Sequence, residues 1–380
     1  MYRLLFVIIL SAQVVRAQTP DSLLLELKTI NTSSAGALLS HRALNVFLSE
    51  AAGYYMSDPD NLTLYKNSVI ANSAQGTLAI YHNMRQSHGI DEPLRSFLSI
   101  GVQANVADAF AARSENRPYN NQFGALIKQT WVGRPRVTAA TAQMQAMDTV
   151  RAAILRSMEK DIRGRPDDFV YDVDLFKELE FDYAHKQAEH LAKSFNYGVF
   201  AFHWTSISLY IPLVTENFQT LPTPGADPMS RHAWPLHFNI SHTRLWEGSK
   251  FGRFFATLAG DVTLNNARDG FMLTKSGNQY IGDYKNFITP SIKGQLIYFP
   301  KDSHIGISFH LEQAIGDYHA MNGILGVPIV LINKKAEAAM NFEFQVRFYD
   351  MGHSIDAGKG LNGRTAIGVT AGVPFSKISF

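Results

Sequence analysis

MNFEFQVRFY, residues 340–349, alternates without a break. Met340, Phe342, Phe344, Val346 and Phe348 fall on one side of an extended chain, and Asn341, Glu343, Gln345, Arg347 and Tyr349 on the other. Successive side chains of a strand point to opposite faces, so this stretch predicts a strand with one greasy face and one polar, charged face. The pattern repeats upstream. Ile305, Ile307, Phe309 and Leu311 oppose Gly306, Ser308, His310 and Glu312, and Leu236, Phe238 and Ile240 oppose His237, Asn239 and Ser241. Residues 252–264 and 288–299 read as two further strands, the second with Ser291, Lys293 and Gln295 on its polar face.

A soluble sandwich alternates in the same way, so the links between strands decide the class. From Phe195 onward they run long, short, long, short, long, short, long. The long ones cover residues 215–232, 265–287, 313–321 and 350–364, and the short ones 247–250, 301–303 and 333–336. Tight turns at one end and long loops at the other are the habit of a transmembrane β-barrel. Residues 94–106 and 122–131 add two strands before Phe195, and residues 62–83 read as a hairpin about Ser73–Gly76 or as one long strand. The expectation is an all-β membrane barrel, antiparallel and up-and-down. Closure with both termini on one side needs an even count, here 10–12 and most simply about 12 strands.

Two segments lie outside this wall. Residues 18–60 read as helical or irregular, with Leu23, Leu24, Leu25 and Leu27 clustered early. Within the barrel region 61–380, residues 136–193 form a helical insertion. Met147, Val150, Ile154 and Met158 keep helix spacing, Gly164, Arg165 and Pro166 break it, and Phe176, Leu179, Tyr183, Gln187 and Leu191 resume it. By strand parity the insertion follows a descending strand and is expected on the periplasmic side.

The ends and the composition point to export. Arg3 precedes the apolar run Leu4–Leu10, and Val15-Arg16-Ala17 leads to Gln18, which reads as a signal peptide over residues 1–17. Cysteine is absent, which excludes lipid attachment through an N-terminal cysteine and suits a bacterial envelope protein. The chain carries 35 basic and 33 acidic residues, and loss of Arg3 and Arg16 leaves 33 of each. That balance gives no nucleic-acid footprint. Trp131, Trp246, Phe299 and Phe380 each close a descending strand and are expected as interfacial rings.

Taken with the signal peptide and the even strand count, a last strand ending in Phe380 resembles the bacterial outer-membrane β-barrel class. The resemblance implies outer-membrane lipid as surroundings. It also implies recognition of the C-terminal strand by the barrel-assembly machinery. Ile378 and Phe380 keep one phase, and Ile367, Val369, Ala371, Val373 and Phe375 the other, so a bulge is expected at Pro374.

Candidate chemistry is sparse. Gly358-Lys359-Gly360-Leu361-Asn362-Gly363 matches a dinucleotide fingerprint, but a strand follows it where the motif needs a helix. Ser308, His310 and Glu312 are residue types of a hydrolytic triad, spaced about 6.5 Å apart along one strand, too far for a relay within it. His237, Asn239 and Ser241 repeat the arrangement. Asp182, His185 and Glu189 share a helix face without a fourth metal ligand. No metal or cofactor is expected. Asp261, Lys293, His310, Glu312, Glu343 and Arg347 lie on polar strand faces and are expected to form a lumen network. The leading functional expectation is a non-catalytic barrel that anchors or organises a periplasmic or outer-membrane partner through its helical insertion. A narrow channel for a small solute comes second, and an outer-membrane lipid hydrolase third.

Overall fold

A computed structural model describes residues 20–33, 39, 41–55, 67–72, 77–85, 95–105, 122–138, 141–165, 173–194, 199–214, 217–248, 250–268, 273–277, 279–317, 319–333, 338–352, 354 and 365–374. The segment 1–17 read as a signal peptide, the glycine run 358–363 and Phe380 lie outside them.

Two helices come first, α1 (Pro20–Ser33) and α2 (His41–Ala52). Strands β1 (Ser68–Asn72), β2 (Thr77–Arg85), β3 (Ser96–Asn105), β4 (Gln122–Val132) and β5 (Arg136–Thr138) follow. The insertion holds α3 (Thr141–Arg163) and α4 (Val173–Ser194). Next come β6 (Val199–Val214), β7 (Asn217–Leu221), β8 (Met229–His232), β9 (His237–Gly248) and β10 (Gly252–Asn266). The remainder is β11 (Thr274–Ser276), β12 (Gln279–Ile281), β13 (Asn286–Phe299), β14 (Ile307–Ala314), β15 (Met321–Ile332), β16 (Ala338–Phe348) and β17 (Thr365–Pro374).

Neighbouring strands of the wall pair antiparallel, β1 closes on β17, and β4 closes on β6 across the helical insertion. β5 extends the β4 edge along β6, with Val132 opposite Trp204 and Arg136 opposite Ala201, so the two occupy one wall position. The result is a closed barrel of 12 strands, free of sheet edges.

The alternation resolves into an inverted protein. On β16, Asn341, Glu343, Gln345 and Arg347 are buried inside, while Phe344 is more than half exposed outside. Ile100, Ile127, Ile240, Leu258, Ile292, Ile307, Leu325 and Ile367 are likewise exposed apolar side chains on the outer surface. Water would not tolerate such a belt, which far exceeds the apolar patch of a soluble monomer. Lipid matches it, and a closed barrel satisfies every ladder group without water. The chain is therefore a transmembrane barrel of the outer-membrane β-barrel class.

The links depart from strict alternation in one place. Residues 315–320 form a compact link where a long one is expected, about as long as 300–306 on the other side. The wall there is cut back. β14 starts only at Ile307, and Ile305 makes an isolated bridge to Ile329. The long links 215–236 and 267–285 are not bare loops. They fold into a four-stranded sheet in the order β11-β12-β7-β8, with a parallel β12–β7 pair. Its small core holds Phe218, Ala233 and Tyr280, and the Arg268 guanidinium lies 4.4 Å from the Phe218 ring centre and 5.0 Å from that of Tyr280.

All four helices gather at the other mouth, the one with the tight turns. In α1, Pro20 sits where its missing N–H costs nothing, and Asp21 complements the positive end of the helix. α3 ends on Lys160 and Arg163, which suit the negative end, and the Gly164 N–H donates to Lys160 O at 2.9 Å. α1 packs Leu23, Leu24 and Leu27 against Leu155, Met158, Ile162 and Tyr183. In the same layer the buried Arg151 guanidinium pairs with Asp148 at 2.5 Å, and burial lowers its pKa. Burial also pushes the Tyr183 phenol up to about 12, against the opposing pull of Arg151. Among the described residues, no helix is long and apolar enough to cross a membrane.

Candidate functional site

The site is the barrel interior, built by two features: a polar wall and a plug. The plug follows from α2. Its apolar stripe, Ala43, Val46, Phe47 and Ala51, shares one buried core with Ala184, Ala188 and Leu191 of α4 and with the mouth-facing rings Phe200, Phe202 and Trp204. The Phe47 and Phe200 rings meet edge to face at 4.8 Å. The chain leaving α2, Gly53-Tyr54-Tyr55, then turns into the lumen.

Polar contacts at each of its three residues hold that tip. Asn341 Nδ2 donates to Gly53 O at 2.5 Å. The Tyr54 hydroxyl meets His304 Nδ1 at 2.7 Å, and the Arg253 guanidinium lies 3.9 Å from the Tyr54 ring centre. Arg253 in turn pairs with the buried Glu247 at 3.0 Å. The Tyr55 hydroxyl donates to Gln295 Oε1 at 3.0 Å and sits 2.7 Å from the Thr257 hydroxyl, which leaves Thr257 as donor to it.

The wall beyond the tip carries all six residues expected for a lumen network, and every one faces inward. Lys293 Nζ stands between two acids, 3.2 Å from Asp261 Oδ2 and 3.6 Å from Glu312 Oε1. Asp261 also takes His237 Nε2 at 2.6 Å and Asn239 Nδ2 at 2.7 Å. Glu312 accepts from Ser291 at 3.2 Å and from Asn322 at 3.2 Å. Buried Glu343 accepts from the Ser308 hydroxyl and from Gln345 Nε2 at 2.8 Å, with His310 Nε2 at 3.9 Å. Arg347 reaches Glu343 through Gln345, donating to Gln345 Oε1 from both Nε and a terminal nitrogen at 3.0 and 2.8 Å. Gly326 makes this crowding possible. A Cβ there would stand 2.2 Å from Glu343 Oε1 and 2.3 Å from Ser308 Oγ.

A cavity of about 50 Å³ opens in this wall, lined by Thr257, Lys293, Gln295, His310, Glu312 and Asn322 among others. It has room for a few waters. Gln295 belongs to both features. Its carbonyl takes the Tyr55 proton, and its amide nitrogen lies 2.9 Å from His310 Nε2, which must then be the unprotonated ring nitrogen. Tyr55, Thr257, Gln295 and His310 thus form one hydrogen-bonded line from plug to cavity.

One sequence expectation about the wall needs correction. Phe299 does not face lipid. It is 1% exposed, points inward and packs edge to face on Tyr54 at 5.4 Å. Its phase on β13 is that of Ser291, Lys293 and Gln295, and Tyr298 is the outward ring at that strand end. Trp131 and Trp246 do face outward, the latter beneath Arg244. Ser308, His310 and Glu312 do not assemble as a relay, because Ser308 gives its proton to Glu343 and Glu312 faces Lys293. His237 and Asn239 serve Asp261. His185 is buried in the helical layer, and the described residues gather no three groups that could hold a metal there. Sequence reasoning missed Tyr54, Tyr55 and the Glu247–Arg253 pair. The one available signal was a Gly-Tyr-Tyr directly after an amphipathic run.

No protein-family model matches the chain, and no curated protein matches it. Among solved structures the chain is similar to the KdgM porin, with 7% identity over 82% of this chain and 98% of that one at a TM-score of 0.30. It is similar to the NanC porin at 6% identity, over 82% of this chain and 99% of that one, with a TM-score of 0.30. It is also similar to a loop-deletion mutant of OmpT, an outer-membrane protein of Vibrio cholerae, at 9% identity over 81% and 96% with a TM-score of 0.24.

Proposed function

We infer that this barrel is a narrow outer-membrane channel for a small polar solute, held shut at its tight-turn mouth by its own Gly53–Tyr55 tip. The observation that carries this is the shared use of Thr257 and Gln295. Both line the cavity, and both hold the Tyr55 hydroxyl. A solute with hydrogen-bonding groups that enters the cavity competes with Tyr55 for them and so weakens the plug. The mixed charges around Lys293 suit a polar guest that brings both donors and acceptors.

The anchoring reading, placed first on sequence grounds, has less support. The apolar face of α2 is used against α4 and the barrel mouth, and that of α1 against α3 and α4.

Orientation belongs to this reading. Tight turns face the periplasm in outer-membrane barrels, which supports a periplasmic side for the helices and an outer side for the four-stranded sheet. Ser157 on α3 and Ser276 on β11 are both exposed, and the chain has no cysteine. On intact cells a bulky impermeant maleimide is expected to label Ser276→Cys, and Ser157→Cys only after the outer membrane is opened. The reverse pattern would turn the barrel over.

Lys293 supplies the test of the channel itself. Lys293→Gln leaves Asp261 and Glu312 without the cation between them. In planar bilayers under a salt gradient, the reversal potential should move toward cation preference by a few-fold in permeability ratio. An unchanged reversal potential would take the conducting path away from this wall.

A further inference from the structure

The apolar belt carries a polar notch. On β6 the outward residues near the tight-turn end are His203 and Thr205, and on β9 they are His242 and Arg244, in the register His203 opposite Arg244 and Thr205 opposite His242. Arg136 on β5, opposite Ala201, joins them from the other side. Arg136, His242 and Arg244 all lie within electrostatic reach of His203. No acid offsets them: among the described residues, neither Arg136 nor Arg244 meets a carboxylate.

The notch is shaped. The His203 and His242 ring centres lie 5.4 Å apart with the planes tilted by 39°, and Thr205 Oγ1 meets His242 Nδ1 at 2.9 Å. Gly133 leaves space for the first ring, since a Cβ there would come within 2.2 Å of His203 Nε2. Trp131 and Trp246 flank the patch, with the Arg244 guanidinium 4.9 Å from the Trp246 ring centre. Arg244 lies four residues from the strand end at Gly248. On a tilted strand that is about 10 Å from the turn, at the edge of an apolar band about 25 Å tall. This is headgroup depth, where paired Trp rings also sit.

We propose that this notch binds the phosphate of a glycerophospholipid in the leaflet on the tight-turn side, with Arg136 and Arg244 as its charge partners and the flanking rings against the acyl-chain ends. Two arginines and two imidazoles without a counter-acid form an anion site. At that depth the anion at hand is a lipid phosphate, met by Arg through charge-assisted hydrogen bonds. The assignment to the periplasmic leaflet rests on the orientation proposed above. Lipid A carries the same phosphate chemistry but sits in the opposite leaflet.

The full-length protein, purified in detergent, should be offered phosphatidylglycerol, diacylglycerol or lipid A, and the lipid retained per barrel read by native mass spectrometry. Phosphatidylglycerol should be retained and diacylglycerol not. Arg136→Gln with Arg244→Gln should weaken phosphatidylglycerol retention by about tenfold or more, while the unboiled protein still migrates as a folded barrel. If the double variant does not fold, Arg244→Gln alone should give a smaller loss in the same direction. Equal retention of diacylglycerol, or undiminished retention by a folded variant, would overturn the site. Retention of lipid A in place of phosphatidylglycerol would overturn the leaflet assignment. The cysteine labelling then separates causes: a reversed pattern would put the fault in the orientation, and the expected pattern would put it in the notch.

Discussion

Arg347→Ala is expected to lower the stability of the barrel by about 3–5 kcal/mol, the usual consequence of removing one member of a buried charged network. Arg347 is 3% exposed and Glu343 0% exposed. Gln345 joins them, taking two N–H groups from Arg347 and giving its amide to Glu343. Alanine removes the cation from this line and leaves Gln345 Oε1 without its two donors. Glu343 then keeps its negative charge in the wall without the Arg347 cation behind Gln345, while Ser308 and Gln345 still donate to it. Arg347→Lys keeps the charge but loses the fork on Gln345, so its loss should be smaller. Glu343→Gln added to Arg347→Ala should recover part of the loss, because the uncompensated charge is gone. Urea unfolding of the detergent-solubilised protein, followed by gel mobility without boiling, measures all three. A midpoint unmoved by Arg347→Ala would mean that Glu343 is satisfied without it.

Much of the wall was legible in the sequence because a strand has a fixed period of two. The alternation from Met340 to Tyr349 sufficed to place Glu343 and Arg347 on one face, and closure by even count led to 12 strands. The same rule could have prevented the one misplacement in the wall. Phe299 shares parity with Lys293 and Gln295, so it had to face inward with them; its position at a strand end outweighed its phase in the reading. What the period cannot show is who meets whom across the chain. Tyr55 bonds to Thr257 and Gln295, partners 202 and 240 residues away. Nothing local in Gly53-Tyr54-Tyr55 encodes that. The sheet of the long links escaped for another reason: β11 and β12 have three residues each, too few for alternation to register, and the β12–β7 pair is parallel. The lipid-facing notch lies between these cases. His203, His242 and Arg244 break the greasy face of their strands visibly, but only the β6–β9 register brings them together.

The second large effect is expected at the plug. Tyr54→Ala with Tyr55→Ala removes both rings from the mouth and leaves α2 in place on Phe200, Phe202 and Trp204. It deletes the hydrogen bonds to His304, Thr257 and Gln295 and the contact with Arg253. Hydrogen bonds of this kind contribute about 0.5–1.5 kcal/mol each. Their combined loss should raise the open population by about tenfold or more. Single-channel recording in planar bilayers, on wild type and double variant side by side, tests the central claim most directly. A narrow channel shut by its own tip predicts rare, small openings in the wild type and frequent openings in the variant. A large, steady wild-type conductance that the variant leaves unchanged would contradict it.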